Sequence, residues 1–566
     1  MKKVISILLL LSMLVCMLPA VSLTSYAEGN PKIEPDTSWY DAEKTEFHLY
    51  DAADLLGFAS IVADSTKNND FLNKIVYIEN DINLNPGWIC TDVDEETVSN
   101  LNIWPEVPYA ADFAGTVNGK GHTISGIYQH STAKGSGLLG RAWGDSVVIK
   151  DLAIVNTYSE STQADGHGVI FGILMASCKA SFDNVYVEAN VVNNDADGGS
   201  YGVAGIVGGV EWHAEKYYTT VTMNNCVFNG TISINESITN TLSESTYVGG
   251  LIARTNDKAK KSFTNCAVYG EIKGKVNNGS IGGFIGYISN APDAINYHAV
   301  TDCVSSMNVN VEGNYSYGVV CGSSSKVEYK IDINNVFYTD STENVKLLGG
   351  TIDAIYTGST AGTYPAVAEY VSSEGLWSKI QNIEYTYTYI DRPTGQASGV
   401  ADHVVDNKKM TGWSANGNKP MPTEVLNMLT TPVAEIVGYQ ATDKEDGKFN
   451  FRIVGVLNVE EGDLENTVLS ISATATYTLE GDKELTLENY PITTVYTSIA
   501  GDTDTGLVKY DAKELGGNYI FVLPCKNVPA SATDIKVEIT VRYAVNDDNG
   551  TATRTLYVEA PKDAVN

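Results

Sequence analysis

The segment EWHAEKYY (211–218) sets Glu211, His213 and Glu215 at alternate positions. In an extended loop these side chains face one side, where two carboxylates and an imidazole serve as metal ligands or as an acid/base set. The spacing supplies no fourth partner, so neither a metal centre nor a catalytic residue is assigned. Trp212, Tyr217 and Tyr218 interleave with the charged residues. Aromatic rings beside carboxylates suit a sugar, whose C–H face stacks on a ring while its hydroxyls hydrogen-bond. The alternative is that these rings cover neighbouring chain segments, and sequence alone does not separate the two.

Other residues invite chemistry. MNNCVFNG (223–230), FTNCAVYG (263–270) and VTDCVSSM (300–307) each place a cysteine after Asn or Asp, which suggests a disulfide set or a metal site. NNDADGG (193–199) and DTDTG (502–506) are similar to calcium loops, although acidic turns in an acidic chain are ordinarily just solvated. DGHG (165–168) resembles the Gly-His-Gly motif of right-handed β-helix polygalacturonases. The companion residues of that motif are missing: NTY (156–158) lacks the aspartate, and no Asp-Asp pair or Arg-x-Lys follows at a suitable distance. Lyase chemistry would need an arginine or lysine base beside calcium. The arginines among the repeats, Arg141 and Arg254, both directly follow a Gly-rich element, so repeat position accounts for them.

That repeat has to position all of these residues. IKDLAI (149–154), FDNVYV (182–187), MNNCVF (223–228), FTNCAV (263–268), VTDCVS (300–305) and INNVFY (333–338) align, with 33 to 41 residues between successive Asn/Asp positions. Leu152, Val185 and Val336 share the column of Cys226, Cys266 and Cys303, so the position calls for a modest apolar side chain rather than a thiol. The expectation is a buried ladder without metal, in which neighbouring sulfurs are close enough for an incidental disulfide. The preceding column, Asp151, Asn184, Asn225, Asn265, Asp302 and Asn335, predicts a left-handed bend that shifts the apolar phase, and a hydrogen-bonded amide ladder. A second element precedes each: GLLG (137–140), VIFG (169–172), GIVG (205–208), GLIA (250–253), GFIG (283–286) and VVCG (319–322). Two short strands cannot bury an apolar face alone, so the repeats must stack.

GGLIA, GGFIG and the Asn/Asp-Cys segments resemble the GLUG-motif repeats, over roughly residues 110–340. DFAGTVNGKGHTISGIY (112–128) is similar to their lead-in segment and WSANGNKPMP (413–422) to their closing one. The resemblance implies a right-handed parallel β-helix in a secreted or surface protein of bacteria, adhesin-like in some cases, and implies no single activity.

The remaining sequence fits that frame. MKKVISILLLLSMLVCMLPAVSLTSYA (1–27) reads as a signal peptide, so the mature chain is expected outside the cell, and no later apolar run is long enough to span a bilayer. With 69 Asp and Glu against 37 Lys and Arg, the formal charge is −32, which excludes nucleic acid and anionic membranes as natural partners. Seven of the eight cysteines follow the leader, an odd number that argues against a disulfide framework. In 28–110, DAADLLGFASIV (51–62) predicts a helix N-capped by Asp51 that covers the open end of the core, with IVYIENDINLN (75–85) as the first strand. Residues 111–340 hold the repeats, 341–431 their end and a linker, and 432–566 the alternating strands of an immunoglobulin-like β-sandwich.

The fold class expected is therefore all-β: a capped right-handed parallel β-helix followed by a sandwich. Insertions after the Gly-rich element, including NAPDAINYH (290–298), would project from one edge and gather Trp143, Trp212, His213, Tyr217, Tyr218 and Tyr297. The function expected is a surface-associated protein binding a polysaccharide or a host or plant glycan, with no cofactor. The alternatives are a polysaccharide lyase or glycoside hydrolase on the same scaffold, or a passive spacer.

Overall fold

The computed structural model describes residues 32–66, 70–163, 165–194, 202–211, 219–235, 246–256, 261–289, 298–324, 331–340, 349, 368–383, 387–391, 396–401, 409–430, 433–445, 448–459, 468–479, 483–492, 495–500, 509–513, 518–529, 531–545 and 550–559. Strands make up 56% of the structure and helix 9%, which places the chain in the all-β class.

Two parallel sheets carry the repeats. In the longer one Thr116–Ser125, Val147–Ser161, Lys179–Asn193 and Thr220–Ile234 lie side by side, continued by Lys261–Thr264 with Ala267–Gly282, then His298–Gly318 and Ile331–Tyr338. The second has seven short strands: Asp112–Phe113, Arg141–Ala142, Phe171–Leu174, Val207–Val210, Ile252–Asn256, Ile285–Ser289 and Cys321–Ser324. Each repeat thus adds one strand to both sheets beside its predecessor, and inward residues from both enter one core.

The Asn/Asp column adopts the left-handed conformation the sequence predicts. Asp151, Asn184, Asn225, Asn265, Asp302 and Asn335 have φ between 51° and 54°. Phe182 and Val185 both point inward across that bend, which is why the apolar phase slips there. Amides link successive layers: Asn184 Nδ2 donates to Asp151 Oδ1 at 2.7 Å, Asn225 Nδ2 to Asn184 Oδ1 at 2.8 Å and Asn335 Nδ2 to Asp302 Oδ1 at 2.7 Å. Next to this ladder Cys226, Cys266 and Cys303 are buried free thiols. Their Sγ atoms donate to Phe182 O at 3.3 Å, Met223 O at 3.3 Å and Phe263 O at 3.7 Å, one layer back in each case.

The helix Ala52–Ala63 starts at Asp51, whose carboxylate accepts from Ala53 N at 2.8 Å and Asp54 N at 3.0 Å. Leu55, Leu56, Phe58, Ala59, Ile61 and Val62 join the core, so the helix closes its end. Left exposed, a large side chain such as Phe58 would forfeit ~2 kcal/mol of burial. Gly57 is required because a Cβ there would lie 1.7 Å from Asp36 O, where the incoming chain crosses the helix. The longer sheet begins one strand earlier than the sequence suggests. Glu46–Leu49, which takes in most of FHLY (47–50), a strand-like patch in an otherwise irregular stretch of the sequence, pairs in parallel with Ile75–Ile78 because Phe47 and Leu49 alternate into the core.

Within 341–431, part of the chain folds back on the outer face of the longer sheet. Leu376, Ile380, Met410, Trp413, Val425 and Met428 cover the outward residues Tyr186, Val227, Tyr269, Val304 and Phe337. Trp413 Nε1 donates to Asn265 Oδ1 at 3.3 Å, Lys419 Nζ to Asn229 Oδ1 at 2.8 Å, and the Tyr269 hydroxyl to Pro420 O. Beyond it stand two antiparallel four-stranded sheets. Ile453, Leu457, Phe521 and Leu523 of one share a core with Ile471, Tyr477, Val537 and Ile539 of the other, which makes a sandwich.

Candidate functional site

The turns that follow the seven short strands leave at one phase of the repeat. Trp143 N donates to Phe113 O at 3.0 Å, Met175 N to Ala142 O at 2.8 Å and Glu211 N to Leu174 O at 2.8 Å. Each donor bonds the last residue of the preceding short strand, so Trp143, Met175 and Glu211 are equivalent positions in three successive repeats. Of the aromatic edge expected from sequence, the structure describes Trp143. Trp212, His213, Tyr217, Tyr218 and Tyr297 lie outside the described residues, as does Glu215, and their segments begin directly after Glu211 and Ser289.

Trp143 forms one wall of a groove of about 90 Å³. The end of the cap helix contributes Val62, Asp64 and Ser65, and Asp70, Ala110, Ala111 and Asp112 complete it. Trp143 is 39% exposed; Tyr109 at 41% and Leu72 at 43% are also open to solvent, though neither lines the groove. Leu72 lies across from Gly144, and the Tyr109 ring receives the Arg141 guanidinium at 4.3 Å. The groove therefore sets one partly exposed indole beside three carboxylates. Such a pairing suits a ring with one C–H face and several N–H or O–H donors.

Arg141 and Asp112 define the electrostatics. They face each other in adjacent strands, with Nη2 2.8 Å from Oδ1. Burial raises the Asp112 carboxyl above its ordinary value; Arg141 opposes this, while the charges of Asp70 and Glu211 add to it. Asp70 uses Oδ1 to accept Leu72 N at 3.0 Å, and Asp64 uses Oδ1 for Thr66 N at 3.0 Å, so both are fixed in their own turns.

The second repeat arginine occupies the same outward column, which runs from Arg141 through Ile173 and Gly209 to Arg254. Arg254 lies over Tyr247 at 5.7 Å, and Tyr247 stacks on Tyr287 at 4.3 Å. Both arginines thus lie against tyrosines, at one position of the repeat.

His167 is sealed in the core. Its Nε2 is 2.9 Å from Ser159 Oγ, and burial pushes its pKa down to about 3. A group without solvent access cannot meet a polymer, so the DGHG motif is a feature of the interior. Five of the seven residues of NNDADGG and all of DTDTG lie outside the described residues. Among the described residues, no group of three or more His, Cys, Asp or Glu side chains is placed to hold a metal ion. No helix among them is long and apolar enough to cross a membrane.

The sequence reading missed the groove's other half. Asp64, Asp70 and Asp112 carry no local signal, because they meet Trp143 only where the cap helix is seated on the first repeats. A scan against protein-family models and a search of curated proteins each returned no match.

Proposed function

We propose that this chain is a secreted, surface-associated bacterial protein of the GLUG-repeat type, a right-handed β-helix that binds glycan along the edge where Trp143 stands. In this reading the C-terminal sandwich is an immunoglobulin-like spacer or second binding module. The observation that carries the proposal is the exposed indole of Trp143 over a groove lined by Asp64, Asp70 and Asp112. Trp143 keeps 39% of its surface open to solvent beside that groove, and a sugar ring is a natural partner for an indole so placed. The GLUG-like repeats and the leader sequence support the location.

Retention and cleavage of plant and mucin polysaccharides by the full mature chain test the proposal together. The expected result is retention without cleavage, lost in Trp143→Ala, while that variant unfolds within about 0.5 kcal/mol of the parent. Cleavage abolished by Asp112→Asn or Glu211→Gln would make the chain a polysaccharide-degrading enzyme. A large loss of stability in Trp143→Ala would instead make the indole a packing residue.

A further inference from the structure

We propose that the interior of the first two repeats binds a water molecule between Gln129, Ser136 and His167, as a fixed part of the fold and independently of any glycan. The three side chains come from different elements. Gln129 lies opposite Ser159 in the longer sheet, and Ser136 forms a parallel bridge with His167, each of these two standing just before the Gly-rich element of its repeat. One pair of contacts joins the two columns: Ser159 Oγ is 3.1 Å from Gln129 Oε1 and 2.9 Å from His167 Nε2. All four residues are buried, none of them more than 1% exposed. Further along the stack the same columns turn apolar, since Ser159 is followed by Val191 and Ile232, and His167 by Val203 and Val248. In these columns the polar patch is therefore confined to the first two layers.

Three polar atoms at this place have no protein partner: His167 Nδ1, Gln129 Nε2 and Ser136 Oγ. A buried polar group without a partner bears the full cost of its desolvation, so each of them calls for one. Their chemistry identifies it. Ser159 gives its one hydroxyl hydrogen to Gln129 Oε1 and so accepts from His167 Nε2–H, and burial, which holds the imidazole neutral, leaves Nδ1 as a bare acceptor. The Gln129 amide nitrogen only donates, and the Ser136 hydroxyl does either. Turning the amide over reverses every bond and leaves the same mixture of one acceptor, one donor and one hydroxyl. A metal cation asks for acceptors alone and an anion for donors alone, and an ion enclosed here would meet no opposite charge among these side chains. Water is neutral, donates and accepts, and ordinarily makes about three such bonds when buried. It links the coil of Gln129 and Ser136 to that of His167 across the interior.

High-resolution crystallography of the full mature chain tests this directly. The expected result is a single water peak about 2.8 Å from His167 Nδ1, Gln129 Nε2 and Ser136 Oγ. A peak that refines as a metal or halide ion, an interior without density at that point, or a Gln129 side chain rotated to bond His167 Nδ1 itself would overturn the proposal. In solution, oxygen-17 relaxation dispersion counts the waters held for longer than the protein takes to tumble. One such water should be lost in the double variant Ser159→Val, His167→Val, which brings the residue types of the next layer, Val191 and Val203, into this one. An unchanged count in the folded variant would overturn the proposal equally. If that variant does not fold, the crystallographic result on the parent decides by itself.

Discussion

Arg141 and Asp112 stand opposite one another in adjacent parallel strands, 2.8 Å apart between Nη2 and Oδ1, and the far face of the guanidinium lies on Tyr109 at 4.3 Å. One side chain therefore ties the first two short strands to the segment that leads into them. Arg141→Lys keeps the charge but loses the planar contact with the ring, and should cost ~1 kcal/mol. Arg141→Ala leaves a half-buried carboxylate uncompensated and should cost ~2 kcal/mol or more, both read by urea unfolding. Equal losses would show that the stacking contributes nothing.

The amide ladder makes a sharper statement at Asn225, whose φ is 51° and whose Nδ2 reaches Asn184 Oδ1 at 2.8 Å. Asn225→Ala loses the bond and retains a Cβ in the left-handed region, so ~2 kcal/mol is expected from the two effects. Asn225→Gly loses the bond but not the conformation, and should recover roughly 1 kcal/mol of that. Calorimetric unfolding of the two variants separates hydrogen bond from backbone.

Burial pushes the thiols of Cys178 and Cys321 up to about 12, and Cys226, Cys266 and Cys303 are equally enclosed. Thiolate is the reactive form, so native protein should leave these five unlabelled by a maleimide at pH 7.5. Peptide mapping after denaturation in the same reagent should find all five modified. Labelling of Cys266 in the native state would break the proposed stacking order.

His167 and His298 are both buried with pKa values pushed down to about 3, in each case chiefly by loss of solvation. In the unfolded chain each titrates near ~6.5. Between those values the unfolded state binds a proton that the folded state refuses, so stability is complete above pH ~6.5 and falls as pH drops through that window. Each histidine contributes a slope of at most ~1.4 kcal/mol per pH unit. Urea midpoints measured from pH 7 to 5 should show the decline, and His167→Asn should flatten about half of it.

Trp413 anchors the segment folded over the longer sheet and is nearly buried there, against the layer that carries Asn265. Trp413→Ala should cost ~3 kcal/mol. Hydrogen exchange should then rise on the covered face near Tyr186 and Tyr269 while the inner core around Phe228 stays protected. Uniform exposure of both would mean that the covering segment and the repeats unfold as one unit.

Particular residues show how far the sequence could be read. Cys226, Cys266 and Cys303 shared a column with Leu152 and Val185, and that substitution pattern identified buried apolar positions. Asn and Asp before them identified the left-handed bend, because few other residues accept that conformation without strain. Asp51 identified the cap helix as an N-cap ahead of Leu55, Ala59 and Val62 at helical spacing, and in the structure its carboxylate accepts from Ala53 N and Asp54 N. All of these are local or periodic facts, decided by residue type over a few positions and repeated at regular intervals. The patch FHLY (47–50) reads as strand-like, but its place as the first strand of the sheet was not legible, because Glu46–Leu49 is only four residues long and has no repeat mate.

By itself, then, the sequence determined the repeat, its bend, its buried column and the phase at which loops leave, since backbone preference and alternation act between near neighbours. Only the tertiary structure decided that Asp64 and Asp70, from the cap, and Asp112, from the lead-in strand, would face Trp143 across one groove. It likewise decided that the stretch around Trp413 would return to cover Tyr269 rather than trail off as a tether. Contacts of this kind depend on where the helix and the covering segment come to rest on the stack. That is set by the shape of buried surfaces summed over many residues, a quantity that no single position in the chain encodes.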